Sequence, residues 1–67
     1  MKIKSGDVVK VKAYGEKFLF LYVVKLEKNS VIVTNKEEYD NALSKGIEPQ
    51  LQVGFPINDV VEVVQST

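Results

Sequence analysis

The chain has 67 residues, and its nine lysines balance nine acidic residues, so the formal net charge at pH 7 is zero and gives no global attraction to nucleic acid or membrane. The sequence contains no Cys and no His, which excludes a disulfide framework and the commonest zinc ligands. We therefore expect one domain spanning residues 1–67, in the reducing cytoplasm, without a metal or a cofactor.

No membrane partner is expected. The first residues lack the apolar stretch of a signal peptide, and the longest apolar run, residues 18–24, is too short to cross a bilayer.

The first two predicted strands differ in how they alternate. After a Gly–Asp turn signal at positions 6–7, apolar residues at 9, 11 and 13 alternate with Lys10 and Lys12, which predicts a strand with one face in water. Residues 14–17 contain Gly15 and form a turn. A second, longer strand is predicted over Phe18–Leu26.

The second strand is apolar on both faces. One side carries Phe18, Phe20, Tyr22, Val24 and Leu26, and the other carries Leu19, Leu21, Val23 and Lys25. Such a strand is either buried on both faces, with a bend through a barrel corner, or it leaves Leu19, Leu21 and Val23 as a patch for another subunit. The sequence leaves both interpretations open.

The middle of the chain changes period from strand to helix. Residues 27–30 form a polar connection of hairpin length, and 31–34 form a third strand. Thr34 and Asn35 are both good N-caps, each with a Glu three residues later, and Gly46 is a typical residue after a helix. A short helix is therefore predicted over Lys36–Lys45.

Two strands and a tight turn complete the chain. Apolar residues at 51, 53 and 55 alternate as a fourth strand, in which Gly54 marks a bulge or a close backbone approach. Pro56 ends it, residues 56–59 form a turn or one 3₁₀ turn, and Val60–Val64 forms a fifth strand followed by a polar tail.

This layout resembles the small SH3-like β-barrels. The resemblance is carried by Gly6–Asp7–Val8–Val9–Lys10–Val11 near one end, and by Phe55–Pro56–Ile57–Asn58–Asp59–Val60–Val61–Glu62–Val63 near the other. It implies a mainly β fold: a small five-stranded SH3-like barrel with a short helical insertion between strands 3 and 4. The chain has no Trp, so docking of proline-rich ligands is not expected.

No catalytic constellation is visible, and we do not expect an enzyme. Without His, the usual base that activates a Ser or Thr nucleophile is missing. The four glycines are isolated, so no phosphate-binding loop is formed. The acidic cluster Glu37, Glu38 and Asp40 is explained by the start of a helix, where carboxylates are favoured.

We therefore expect a non-catalytic protein-interaction module or small accessory subunit of a larger cytosolic complex. The predicted partner-binding residues are Leu19, Leu21 and Val23, with Glu37, Glu38 and Asp40 of the helical insertion as a second surface. An uncovered apolar strand also favours self-association, so a second copy of the chain is an alternative partner.

The alternative function is binding of RNA or single-stranded DNA. Residues 1–28 hold seven Lys against three acids, a charge of +4, while residues 29–67 hold two Lys against six acids, a charge of −4. The predicted nucleic-acid-binding residues are Lys2, Lys4, Lys10, Lys12, Tyr14 and Lys17. The competing explanation is that alternating lysines keep an exposed strand soluble.

Overall fold

The computed structural model describes residues 2–66, which form five strands, one α-helix and one 3₁₀ turn. The elements are β1 (Val8–Lys12), β2 (Phe18–Leu26), β3 (Ser30–Thr34), α1 (Lys36–Lys45), β4 (Val53–Pro56), the 3₁₀ turn (Ile57–Asp59) and β5 (Val60–Gln65). The predicted mainly β fold, with five strands and a helix between the third and fourth, is confirmed.

The five strands form one antiparallel sheet in the order β4-β3-β2-β1-β5. In a flat sheet the two edge strands would lie about 19 Å apart, because neighbouring strands are spaced by about 4.8 Å. Yet β4 and β5 are joined by a 3₁₀ turn of only 3 residues, which rises about 6 Å. The sheet therefore curls strongly and wraps around its own core.

The core is built almost entirely from valine. Side chains from every strand except β4 contribute buried residues, with Ile3 joining from the N-terminal segment: Ile3, Val9, Val11, Val23, Val31, Val33 and Val60. Leu21, Phe55 and Val63 pack against this cluster while remaining partly exposed. The predicted alternation in β1 is confirmed, since Val9 and Val11 are fully buried and Lys12 is exposed.

Strand β2 presents different residues to the two faces of the sheet, and the register assigns them. Leu19 and Leu21 lie opposite the buried Val11 and Val9, so they face the core. Phe18 and Phe20 lie opposite Lys12 and Lys10 on the outer face.

A β-bulge changes this alternation near the end of β2. The register with β3 shifts between Val23 and Lys25, which makes Val24 the extra residue. Leu26 then lies opposite the buried Val31. It therefore belongs to the core side, and its predicted place beside Phe18 on the outer side is wrong.

Helix α1 has the predicted bounds and lies on the outer face of the sheet. The Asn35 side chain caps it by accepting a hydrogen bond from the backbone N–H of Glu38 at 2.8 Å. Gly46 ends it with φ at 67°, a left-handed conformation that favours glycine. Tyr39 stacks on Tyr22 with ring centroids 4.8 Å apart, so α1 covers the outer face at Tyr22.

Strand ends differ slightly from the prediction. β1 begins at Val8, β4 begins at Val53 instead of 51, and β5 continues to Gln65.

A Cβ on Gly54 would meet Ile32 Cδ1 at 3.3 Å, so Gly54 marks a close approach. Of the predicted polar tail, Thr67 lies outside the described residues.

Within residues 2–66, no helix is both long and apolar enough to span a bilayer.

Candidate functional site

An extensive concave surface lies where the β1–β2 hairpin meets the start and end of β4. A cavity of about 610 Å³ is lined by Lys12, Ala13, Tyr14, Leu19, Phe55 and Asp59. A second cavity of about 160 Å³ adjoins it and shares Leu19 and Phe55. We call the two together the hairpin groove.

The floor of the hairpin groove is apolar and incompletely covered. Leu19, Leu51 and Val53 are 43%, 49% and 45% exposed, and Leu21 and Phe55 are half-buried. Leu19, Leu21, Val53 and Phe55 lie on the inner face of the sheet beside the valine core, which leaves part of each side chain uncovered. The groove therefore offers apolar surface that the chain itself does not bury.

Polar groups lie at one end of the groove. Lys12 and Asp59 line the larger cavity from the β1 end and the 3₁₀ turn. Tyr14, at the tip of the hairpin, is 97% exposed. This end carries one positive charge, one negative charge and one aromatic ring.

The predicted partner surface of Leu19, Leu21 and Val23 is divided by the structure. Leu19 and Leu21 line the hairpin groove. Val23 is fully buried in the core, because it pairs with Val33 beneath the curled sheet. Val23 therefore has no exposed surface to offer a partner in this fold, and this part of the prediction is corrected.

The predicted acidic surface lies on the first half of α1, which is capped by Asn35 beside the hairpin groove. Asp40 accepts a hydrogen bond from Lys36 Nζ at 2.8 Å, and Glu37 and Glu38 occupy the first turn of the helix. None of the three acids lines the hairpin groove.

The predicted lysine stripe does not form a single surface. Lys2 and Lys4 line a cavity beside Leu26, at the far end of β2 from Phe18. That separates them from the other end by about 26 Å, the length of a nine-residue strand. Tyr14 and Lys17 belong to the hairpin tip, and Lys10 and Lys12 lie on the outer face, Lys12 next to the tip.

The outer patch, which we define as Phe18, Phe20, Lys10 and Lys12, joins two predicted nucleic-acid-binding lysines to two phenylalanines that the sequence did not single out. Phe18 and Phe20 are 43% and 60% exposed, because α1 covers the outer face only around Tyr22. Lys10 Nζ lies 4.5 Å from the centroid of the Phe18 ring and 4.0 Å from Glu62 Oε1. The apolar run in β2 is therefore covered on its outer side by the helix for only part of its length.

Groove residues from β4 and the 3₁₀ turn were also missed. Phe55 and Asp59 were assigned to a strand and a turn, and nothing in their spacing places them beside Leu19. Their proximity results from the curl of the sheet, which brings β4 close to the hairpin tip.

Residues 2–66 contain no group of three acidic, His or Cys side chains arranged to hold a metal ion. A pKa shift is resolved at Lys36, where the hydrogen bond to Asp40 and the Asp40 charge raise the pKa, and Tyr22 adds to the effect. This lysine is exposed and lies outside the hairpin groove.

Comparison of the chain with protein-family models, with curated proteins and with solved structures found no match.

Proposed function

We propose that this chain is a non-catalytic protein-interaction module, a small accessory subunit of a larger cytosolic complex. The observation that carries the proposal is the hairpin groove, where Leu19, Leu51 and Val53 leave nearly half of their surface exposed around a continuous cavity. The occupant we propose is a segment of another protein, whose apolar side chains would cover this surface.

The size of the exposed surface supports this choice. Burying an entire aliphatic side chain contributes about 1.5–3 kcal/mol, so covering the exposed half of each of these three residues contributes about 1 kcal/mol apiece. Lys12 and Asp59 at the end of the groove then add polar contacts that fix orientation. A protein segment supplies both kinds of group.

Affinity capture with paired variants tests the proposal. The tagged full chain is incubated with lysate of its native cell, with and without nuclease, as wild type, Leu19→Asp and Leu43→Asp. Leu43 is 71% exposed on α1 and lies outside the groove, so it controls for the introduced charge. Circular dichroism confirms that each variant is folded.

The proposal expects a stoichiometric protein partner that survives nuclease, is retained by Leu43→Asp and is lost with Leu19→Asp. A partner that both variants retain equally, or no partner at all, would contradict groove binding.

A second candidate, binding of single-stranded nucleic acid, is favoured by the outer patch. Each exposed phenylalanine lies directly opposite a lysine, Phe20 opposite Lys10 and Phe18 opposite Lys12. Aromatic rings stack on bases and lysines neutralise phosphates. This second function predicts that the chain captures nucleic acid, that capture is lost when Lys10 and Lys12 are both changed to Glu, and that Leu19→Asp retains it.

A further inference from the structure

The first half of β2 has a neighbour on only one side. Its pairing with β1 runs from Phe18 to Tyr22, but its pairing with β3 begins only at Tyr22, opposite Thr34. After Thr34 the chain turns away through the Asn35 cap into α1. Residues 18–21 of β2 therefore form a free edge inside the sheet, where β3 stops short.

The direction of the backbone groups along this edge follows from neighbouring hydrogen bonds. Val23 donates its N–H to Asp7 O at 2.8 Å and accepts from Gly6 N at 2.8 Å, and Lys17 O accepts from Ala13 N at 2.9 Å. Ahead of the bulge at Val24, the odd-numbered residues Leu19, Leu21 and Val23 thus point their backbone groups toward the β1 side.

Successive residues of a strand point these groups in opposite directions, so Phe18 and Phe20 point theirs toward the side that β3 vacates. There the two N–H and two C=O groups have no hydrogen-bond partner among residues 2–66. The edge therefore presents donors and acceptors in the pattern that an added strand would satisfy.

A cavity lined mainly by apolar side chains lies beside this edge. The cavity of about 160 Å³ is lined by Leu19 and Leu21 of β2, by Leu51 and Val53 across from them, and by Asn35 at its end. An apolar cavity of about 150 Å³ accepts a ligand as large as benzene. A medium-sized apolar side chain therefore fits into it.

We propose that the chain binds an extended segment of another protein as an added strand along Phe18–Leu21, in line with the end of β3. This inference rests on the proposed function and specifies how the groove is occupied. Main-chain hydrogen bonds to Phe18 and Phe20 would hold the segment, and alternate apolar side chains would enter the cavity.

Charge on the outer face indicates what the other side chains of the segment should be. The added strand would place every second side chain next to Phe18 and Phe20, on the face that carries Lys10 and Lys12. Acidic residues at these positions are favoured by Lys12, and by Lys10 in competition with Glu62, whose Oε1 lies 4.0 Å from Lys10 Nζ. The expected ligand is therefore an extended peptide that alternates aliphatic and acidic residues.

The other free edges of the sheet are less suited to strand addition. β5 carries register shifts in its pairing with β1, and bulges of this kind protect edges. β4 has only 4 residues and ends in proline. The β2 edge at Phe18–Leu21 is equally short, but it contains no proline and no register shift with β1, and it adjoins an apolar cavity.

The test selects random peptides displayed on phage against the immobilised full chain. The affinity of the best peptide is then measured by fluorescence anisotropy for four proteins: wild type, Leu19→Asp, Phe20→Pro and Phe20→Ala. Phe20→Pro removes the edge N–H and the ring, and Phe20→Ala removes the ring alone. Because the Phe20 N–H makes no bond in the free chain, proline is tolerated there as on an edge strand. We expect Phe20→Pro to weaken binding about tenfold more than Phe20→Ala, the effect of one lost hydrogen bond.

Amide hydrogen exchange gives a second readout that does not depend on a variant. In the free chain, the amides of Phe18 and Phe20 should exchange much faster than those of Leu19 and Leu21, and saturation with the peptide should protect them. A peptide N-methylated opposite Phe20 should lose affinity, which keeps the test valid if Phe20→Pro fails to fold.

The outcomes separate this inference from the proposed function. If a peptide loses its binding in Leu19→Asp and yet leaves the amides of Phe18 and Phe20 unprotected from exchange, that result would support groove binding and overturn strand addition. Protection that appears without peptide, together with a dimer by light scattering, would identify a second copy as the occupant and overturn the proposed partner. Failure of the library to yield a groove-dependent peptide would contradict both.

Discussion

Tyr22 of β2 and Tyr39 of α1 stack with their ring centroids 4.8 Å apart and their planes inclined by 28°. This pair joins the helix to the outer face of the sheet. It also divides that face, since Tyr22 lies under the helix and Phe20, two residues earlier, is 60% exposed. The contact thus marks where the helix stops covering the outer side of β2.

A double-mutant cycle should show coupling between the two tyrosines. Stacked aromatic pairs contribute about 0.5–1.5 kcal/mol beyond the area they bury. We expect the double variant Tyr22→Leu/Tyr39→Leu to lose less free energy of unfolding than the two single variants lose in sum. The difference should equal this stacking contribution. Urea denaturation measures it, and additive effects would show that the ring contact contributes nothing.

Val23 and Leu19 differ in burial, which predicts different losses of stability when each side chain is truncated. Val23 is fully buried, so Val23→Ala should lower the free energy of unfolding by about 2 kcal/mol, through lost methyl groups and the cavity they leave. Leu19 is 43% exposed, so Leu19→Ala should cost markedly less. Equal losses in urea denaturation would mean that Leu19 belongs to the core.

The Thr34 hydroxyl predicts a stabilising substitution. Thr34 is 2% exposed, and its Oγ1 has no hydrogen-bond partner among the residues that the structure describes. Thr34→Val keeps the shape and removes the unsatisfied group, which should raise the free energy of unfolding by about 1 kcal/mol. Thr34→Ser serves as the control because it retains the hydroxyl, and stabilisation by Ser instead would contradict this explanation.

The Lys36–Asp40 pair predicts a pH effect at the alkaline end. The hydrogen bond from Lys36 to Asp40, followed by the charge of Asp40, raises the pKa of Lys36 above its usual 10.5. Because the folded pKa is higher than the unfolded one, the stabilisation is complete below the unfolded value and is lost as pH rises through the folded value. The pair is exposed, so the effect on stability should be small and weaken with salt.

NMR titration of the Lys36 side chain measures this shift directly. Asp40→Asn should bring the pKa of Lys36 down toward its usual value, because it removes the charge that favours the protonated amine. An unchanged pKa in Asp40→Asn would show that Asp40 does not cause the shift.

Local patterns predicted the elements whose ends depend on nearby residues. The bounds of α1 were correct because Asn35 and Gly46 act within one turn of the helix they cap. The bounds of β2 were correct because its apolar run is continuous between polar turns. Such signals lie within a few residues of the boundary they set.

Features that depend on pairing between distant residues were not predictable. The bulge at Val24 and the early end of the β2–β3 ladder at Tyr22 and Thr34 arise from register, which no local pattern in either strand records. For the same reason Leu19 was grouped with Val23, although only Val23 lies deep enough to be enclosed. The candidate site was therefore predicted in part, through Leu19 and Leu21, and its β4 wall was not.

The pairing of Val11 with Val60 places most of the chain inside one closed loop. Hairpins such as β1–β2 form within about 10 µs, whereas folds dominated by pairings this distant in sequence fold over about milliseconds to seconds. Docking of β5 against β1 should therefore be the slow step of folding. Stopped-flow refolding of Val60→Ala would test this, since a late contact changes the unfolding rate more than the folding rate. Until that step is complete, the unpaired side of β1 is an aggregation risk for a newly made chain.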